Sequence, residues 1–209
     1  MHYAPERRLE MILSRRKSIA AGMMICMMLV LGGCAEYEEA AGGKNGIVVH
    51  ADQSLDATMI RTFDQAYYNE SELVAMVEDE LVKYNGEHGA DAISLKAHSQ
   101  TGQQVSLTLH FHNWEDYNNY MLDRIYIGNV QGAYDERYDF NQALSDASKK
   151  EYTIGKNDLM NMADQKIIVF EGDHSVEAPG NIRYYTQGMK LTGAKCVEST
   201  QEGLYFIIY

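Results

Sequence analysis

The sequence predicts an α+β fold: a mostly antiparallel sheet with two or three short helices, followed by a small C-terminal β unit. Three observations predict it. Residues 69–86 have the capping and apolar spacing of an amphipathic helix, and residues 93–97 and 105–111 alternate in matched phase as paired strands do. The last quarter breaks into short apolar runs divided by glycine-containing turns. Strands and helices alternate only loosely, which favours antiparallel pairing over a parallel, helix-crossed sheet.

Taken in order, Ile47–His50 and Ala57–Phe63 read as a first hairpin around Asp52-Gln53-Ser54. In the helix that follows, Asn69 serves as N-cap and Glu72 closes a capping box, while Tyr68 staples against Leu73. Leu73, Val77, Leu81 and Tyr84 share one face, acids at the start suit the helix dipole, and Gly86 is placed to end it. Ile93, Leu95 and Ala97 then pair with Val105, Leu107, Leu109 and Phe111 through a turn at Gly102. Trp114–Leu122 reads as a short helix started by Asn113, and Ile125–Val130 as a strand. The polar stretch 131–156 holds at most one helical turn near Phe140–Leu144, and Asn157 caps a small helix to Ala163. Five short strands finish the chain: Lys166–Phe170, Ser175–Ala178, Ile182–Tyr185, Lys195–Val197 and Leu204–Tyr209.

The N-terminus carries an address. Arg15-Arg16-Lys17 supplies a positive region, Ser18 to Leu31 is an uncharged apolar run, and Leu31-Gly32-Gly33-Cys34 has the form of a lipobox. That run is about 14 residues, short of the roughly 20 that span a bilayer as a helix. An ordinary signal peptide or a signal anchor is the alternative, but the A-x-A-like site of a plain signal is absent. The segment resembles bacterial prolipoprotein signal peptides, which places cleavage after Gly33 and acylation, including palmitate, on Cys34. Met11 would open an equally good signal, so translation starts at Met1 or Met11. A single acyl chain anchors marginally and two or more hold firmly, at about 0.8 kcal/mol per buried CH₂. The organisation expected is thus a signal peptide at 1–33, a flexible acidic, glycine-containing tether at 34–46, an α+β domain at 47–164 and a small β-rich unit packed on it at 165–209. A tether of that length reaches roughly 20 Å.

Eighteen basic and 30 acidic residues give the chain a net charge of −12. Removal of residues 1–33 takes away five basic and two acidic groups, leaving −15 over 176 residues. Such a surface has no basic patch to release phosphate counterions, so nucleic acid is excluded as a partner. Of three cysteines, Cys26 leaves with the signal and Cys34 takes the lipid, so Cys196 stands alone without a disulfide or zinc spacing. An exported protein without disulfides leans toward a Gram-positive envelope.

Candidate sites are few. His110 and His112 alternate on one strand face and form half of a zinc or copper site; with His98 displaced toward the turn, no third ligand is identified and no metal is expected. Asp173-His174-Ser175 has the residue types of a catalytic triad, but three consecutive residues diverge, and the segment reads as a turn after Gly172. Neither a phosphate-cradling glycine loop nor a calcium loop occurs. No catalytic residue and no cofactor is therefore assigned. Fourteen tyrosines remain after cleavage, and Trp114, Tyr117 and Tyr120 are the cluster placed to make an exposed recognition patch, with core packing as the alternative.

Beyond the signal, FDQAYYNESELVAMVEDELVKYN, the hairpin ending in Phe111, VFEGDHSVEAPGNIRYY and GLYFIIY together resemble a group of membrane lipoproteins from clostridial, gut-dwelling Gram-positive bacteria. The resemblance implies a lipid-anchored protein on the outer face of the cytoplasmic membrane and transfers no site residue. The expectation is a non-catalytic binding or envelope-support module whose partners are membrane lipid, through Cys34, and an envelope protein or glycan. An envelope hydrolase with an unrecognised active site and an assembly partner of other envelope proteins are the alternatives.

Overall fold

The computed structural model describes residues 45–63 and 69–209. Among them the chain forms thirteen strands and four helices, α+β as the sequence predicts. Strands β1 (Gly46–Val49), β2 (Leu55–Thr62), β3 (Ile93–Thr101), β4 (Gln104–Phe111), β9 (Ser175–Glu177), β11 (Lys190–Leu191) and β12 (Cys196–Glu198) make one sheet, ordered β11-β12-β9-β1-β2-β4-β3. A second sheet is ordered β5-β8-β13-β10-β6-β7. It contains β5 (Ile125–Asn129), β6 (Leu144–Asp146), β7 (Thr153–Ile154), β8 (Lys166–Glu171), β10 (Tyr184–Thr186) and β13 (Leu204–Ile208). Every pairing is antiparallel except β1 with β9.

Helix α1 (Glu70–His88) starts where Asn69 accepts hydrogen bonds from the Ser71 and Glu72 N–H groups. Its stripe of Leu73, Val77, Leu81 and Tyr84 is buried. Burying such side chains contributes about 1.5–3 kcal/mol each, against about 1 kcal/mol for the cap, so packing holds the helix and the cap sets its start. It does not stop at Gly86. The helix runs on to His88 with Gly89 as C-cap, while Asn85 bonds both the N–H and the carbonyl of Ile93. That tertiary tie outweighs the roughly 1 kcal/mol that an interior glycine costs. The staple expected from Tyr68 lies outside the described residues.

Helix α2 (Trp114–Met121) is capped by Asn113, which accepts from the Asp116 N–H. Helix α3 (Val130–Asp135), where no helix is expected from sequence, is capped by Asn129 bonding the Gly132 N–H. Helix α4 (Lys156–Met160) begins at Gly155, whose N–H donates to Asp158; Asn157 lies inside the helix, not at its cap. The single helical turn expected near Phe140–Leu144 is instead loop leading into β6.

Two apolar layers result. Inward residues of the first sheet (Leu55, Leu107, Leu109, Phe111) pack with α1, α2 and one face of the second sheet (Ile125, Ile168, Ile207). The opposite face of the second sheet (Ile167, Val169, Phe206, Ile208) is covered by α3, α4 and Phe140. The last quarter is therefore not a separate unit packed on the rest: β8, β10 and β13 build the second sheet while β9, β11 and β12 extend the first. The crossing from β8 to β9 turns at Gly172, whose φ of 106° and close approach to His174 leave no place for a Cβ.

Candidate functional site

The first sheet has a face turned away from the apolar core, and one charged group is buried on it. Period-two alternation along Leu55-Asp56-Ala57-Thr58-Met59 sends Leu55, Ala57 and Met59 into the core and Asp56 and Thr58 outward. The β1–β2 turn closes through His50 N–H to Ser54 O, with Asp52 accepting from the Ser54 N–H and hydroxyl. This brings His50 back over the start of β2, where its Nε2 lies 2.8 Å from Asp56 Oδ2.

Neighbouring strands complete the cluster. His110 faces Asp56 across the β2–β4 ladder, and its Nδ1 lies 2.8 Å from Oδ1. In β3 the register slips between Leu95 and Ala97, so Lys96 is the extra residue of a bulge. Its Nζ reaches Oδ2 at 2.5 Å. Below this group the Thr58 and Thr108 hydroxyls meet at 2.9 Å.

The Asp56 carboxylate is 1% exposed, whereas His50, His110 and Lys96 are 35%, 34% and 45% exposed. Burial alone would push the Asp56 carboxyl up, but donors from Lys96, His110 and His50 outweigh it and hold it below the usual carboxylate range. The group is thus ionised and accepts only, so each imidazole donates an N–H to it. His50, Asp56 and His110 each offer a metal-ligating atom, all within 4.8 Å of one another.

A second constellation lies in the core. The Tyr117 hydroxyl donates to Asp123 Oδ2 at 2.8 Å, and His174 Nε2 approaches the same oxygen at 3.1 Å. Burial, then the Asp123 charge, pushes the Tyr117 hydroxyl well above its ordinary value, so it remains a donor. His174 Nδ1 is buried without a hydrogen-bond partner. The imidazole borders a 10 Å³ cavity with Asn45, Ile47, Arg61 and Tyr117, room for about one water. Ser, Thr or Cys is not hydrogen-bonded to the ring, so a nucleophile is lacking among the described residues. Elsewhere an open cleft of about 450 Å³ is lined by Asp146, Asn181, Arg183, Tyr184 and Leu191. Its charged groups are already engaged: Asp146 accepts from Ser148 and Lys149, and Arg183 donates to Gln165.

Several sequence expectations meet a different environment. Tyr117 and Tyr120 are 1% and 3% exposed, and Trp114 packs against both apolar layers, so these three do not form an exposed patch. Their rings belong to an edge-to-face network with Phe111, Tyr84 and Tyr126, which is core packing. His110 does sit in a cluster with metal-ligating character, but with His50 and Asp56 rather than His112, which lies exposed beyond the end of β4. Asp173-His174-Ser175 is a turn entering β9, yet its imidazole is buried against Asp123. Cys34, Gly33, the signal and most of the tether lie outside the described residues. No helix among those residues is long and apolar enough to cross a membrane.

Asp56 is missed by the sequence reading because the strand is started two residues late, at Ala57; His50 and Lys96 join it only through the β1–β2 turn and the β3 bulge. The signal available is the alternation itself: a single aspartate in phase with Thr58, between apolar neighbours, on a strand with His110 opposite. No protein-family model, curated protein or solved structure matches the chain.

Proposed function

We propose that this chain is a lipid-anchored extracytoplasmic binding module that meets its ligand on the outward face of the seven-stranded sheet, around Asp56. The address rests on the lipobox ending at Cys34 and the tether that follows. The observation that carries the binding reading is the ring of His50, His110 and Lys96 about a carboxylate that is 1% exposed. Desolvating a carboxylate costs several kcal/mol, its three donors offset that cost, and the two imidazoles among them stay partly exposed on a face outside the apolar core, where a ligand can reach them. Among the described residues the rival reading, an envelope hydrolase, is favoured only by the buried Asp123–His174 pair, and none of those residues sets a nucleophile against that pair.

Two measurements test the two halves. Labelling with an alkyne palmitate analogue, with detergent-phase partition, is expected to mark the wild-type chain and to fail for Cys34→Ala; an unlabelled wild type overturns the anchor. Carbethoxylation by diethyl pyrocarbonate is expected to be slower at His50 and His110 in native membranes than in purified, EDTA-washed protein. His112 serves as the reference. Equal rates in both preparations overturn the ligand-bearing face.

A further inference from the structure

We infer that His50, Asp56 and His110 form a binding site for a divalent first-row transition ion of zinc type, with Lys96 as the internal cation that occupies it when the metal is away. The inference rests on the reading of that face as the binding surface and names its ligand. Two imidazole nitrogens and one carboxylate suit zinc and its neighbours, whereas magnesium and calcium call for oxygen alone. The three ligating atoms already lie within 4.8 Å of one another on three separate backbone segments: the β1–β2 turn, β2 and β4. Tetrahedral bonds of about 2.0 Å place adjacent ligand atoms about 3.3 Å apart. The two 2.8 Å hydrogen bonds end on different oxygens of Asp56, so seating an ion opens them by about half an ångström while the ligand atoms, all within 4.8 Å of one another, draw in to that spacing. The His50 and His110 ring centroids, 6.0 Å apart, close to about 5 Å when the two rings share one tetrahedral ion.

The carboxylate supplies a fixed, buried anchor, and the partly exposed imidazoles leave a path for the ion. Metal entry exchanges positions without any redox step. To ligate, each imidazole presents a bare nitrogen to the ion and carries its proton on the other ring nitrogen; the proton on the nitrogen facing Asp56 leaves through solvent as the metal enters. Lys96 keeps its proton and swings away on its flexible stem, which the bulge places at the rim and which is 45% exposed. Its ammonium therefore competes directly with the metal for Oδ2.

The test is a calorimetric titration of the full chain, purified in detergent and stripped with EDTA, with zinc chloride. A parallel titration with cobalt chloride follows the visible absorption of the bound ion. One saturable site per chain is expected. His110→Gln and His50→Gln should each weaken it by about tenfold or more, while His112→Gln leaves it unchanged. Lys96→Met should tighten it severalfold, a gain that a merely structural ion-pair cluster would not produce. Thermal unfolding of each variant verifies that it is folded, and either histidine variant suffices if the other fails that check. Absence of a one-to-one site, or a site that persists in both histidine variants, overturns the inference. Failure here with His50 and His110 still shielded in native membranes removes the metal and leaves the binding face standing.

Discussion

Asp56 and His110 stand opposite each other in the β2–β4 ladder, and the His110 Nδ1–H donates across it to the Asp56 carboxylate at 2.8 Å. The bond joins a buried acceptor to a donor at the surface. With His50 and Lys96 on the other oxygen, the carboxylate is the hub of four backbone segments. Asp56→Ala leaves three donors without their acceptor, though water can reach them. The expected loss is about 1–3 kcal/mol by urea unfolding, below the 3–5 of a fully buried pair. A change within about 0.5 kcal/mol would show the hub to be energetically idle.

The same device closes two helix-to-strand connections. Asn118 donates to the Ile125 carbonyl at 2.8 Å and accepts from its N–H at 2.7 Å, as Asn85 does for Ile93. Asn118→Ala removes both bonds and is expected to cost about 2 kcal/mol. Chemical denaturation measures it, and Asn118→Asp, which keeps only the acceptor, should fall between alanine and wild type.

Tyr126 lies over Gly128 and Gly132, wedged between Trp114 and Tyr138. A Cβ at Gly132 would run into its ring and hydroxyl, and the neighbouring rings leave it little room to retreat. Gly132→Ala should cost about 1–3 kcal/mol by overpacking. In a Tyr126→Phe background the cost should shrink, because the hydroxyl is the atom met first. Equal costs in the two backgrounds would place the strain elsewhere.

Cys196 pairs in register with Glu177. Burial, then the Glu177 charge and its hydrogen bond, pushes the thiol up. A raised pKa leaves less thiolate at any pH below it, so iodoacetamide should alkylate Cys196 more slowly than free cysteine at pH 8. Glu177→Gln should speed the reaction by lowering the pKa toward its ordinary value. A wild-type rate matching free cysteine would contradict this placement.

Local signals were readable in proportion to how locally they act. Asn69 and Asn113 cap the helices expected of them because an N-cap needs only its own next few N–H groups. The β3–β4 hairpin is legible in part: the two-residue turn at Gly102 sets its start, but the bulge at Lys96 puts Ala97 opposite Thr108, exposed and off the face it was expected to share with Ile93 and Leu95. Asn129 caps α3 in the same way, but the six-residue helix is too short to show a periodicity. Long-range pairing was not legible. The parallel join of β1 to β9 brings together Ile47 and Val176, and nothing in either short strand names the other. Tyr117 and Tyr120 read equally well as a patch or as core, since tyrosine serves both; only the packing of α2 against α1 and β4 decides. The Asp56 cluster needs three strands in register plus a bulge, so its members are scattered over sixty residues of sequence.

On the proposed reading, the outward face of the seven-stranded sheet binds its ligand through His50, Asp56 and His110. X-ray absorption at the zinc edge of the zinc-loaded full chain tests it most directly. The expected first shell holds two imidazoles and one carboxylate oxygen with bonds of about 2.0–2.1 Å. A shell of oxygen alone, or one containing sulfur at about 2.3 Å from Cys196, would contradict it.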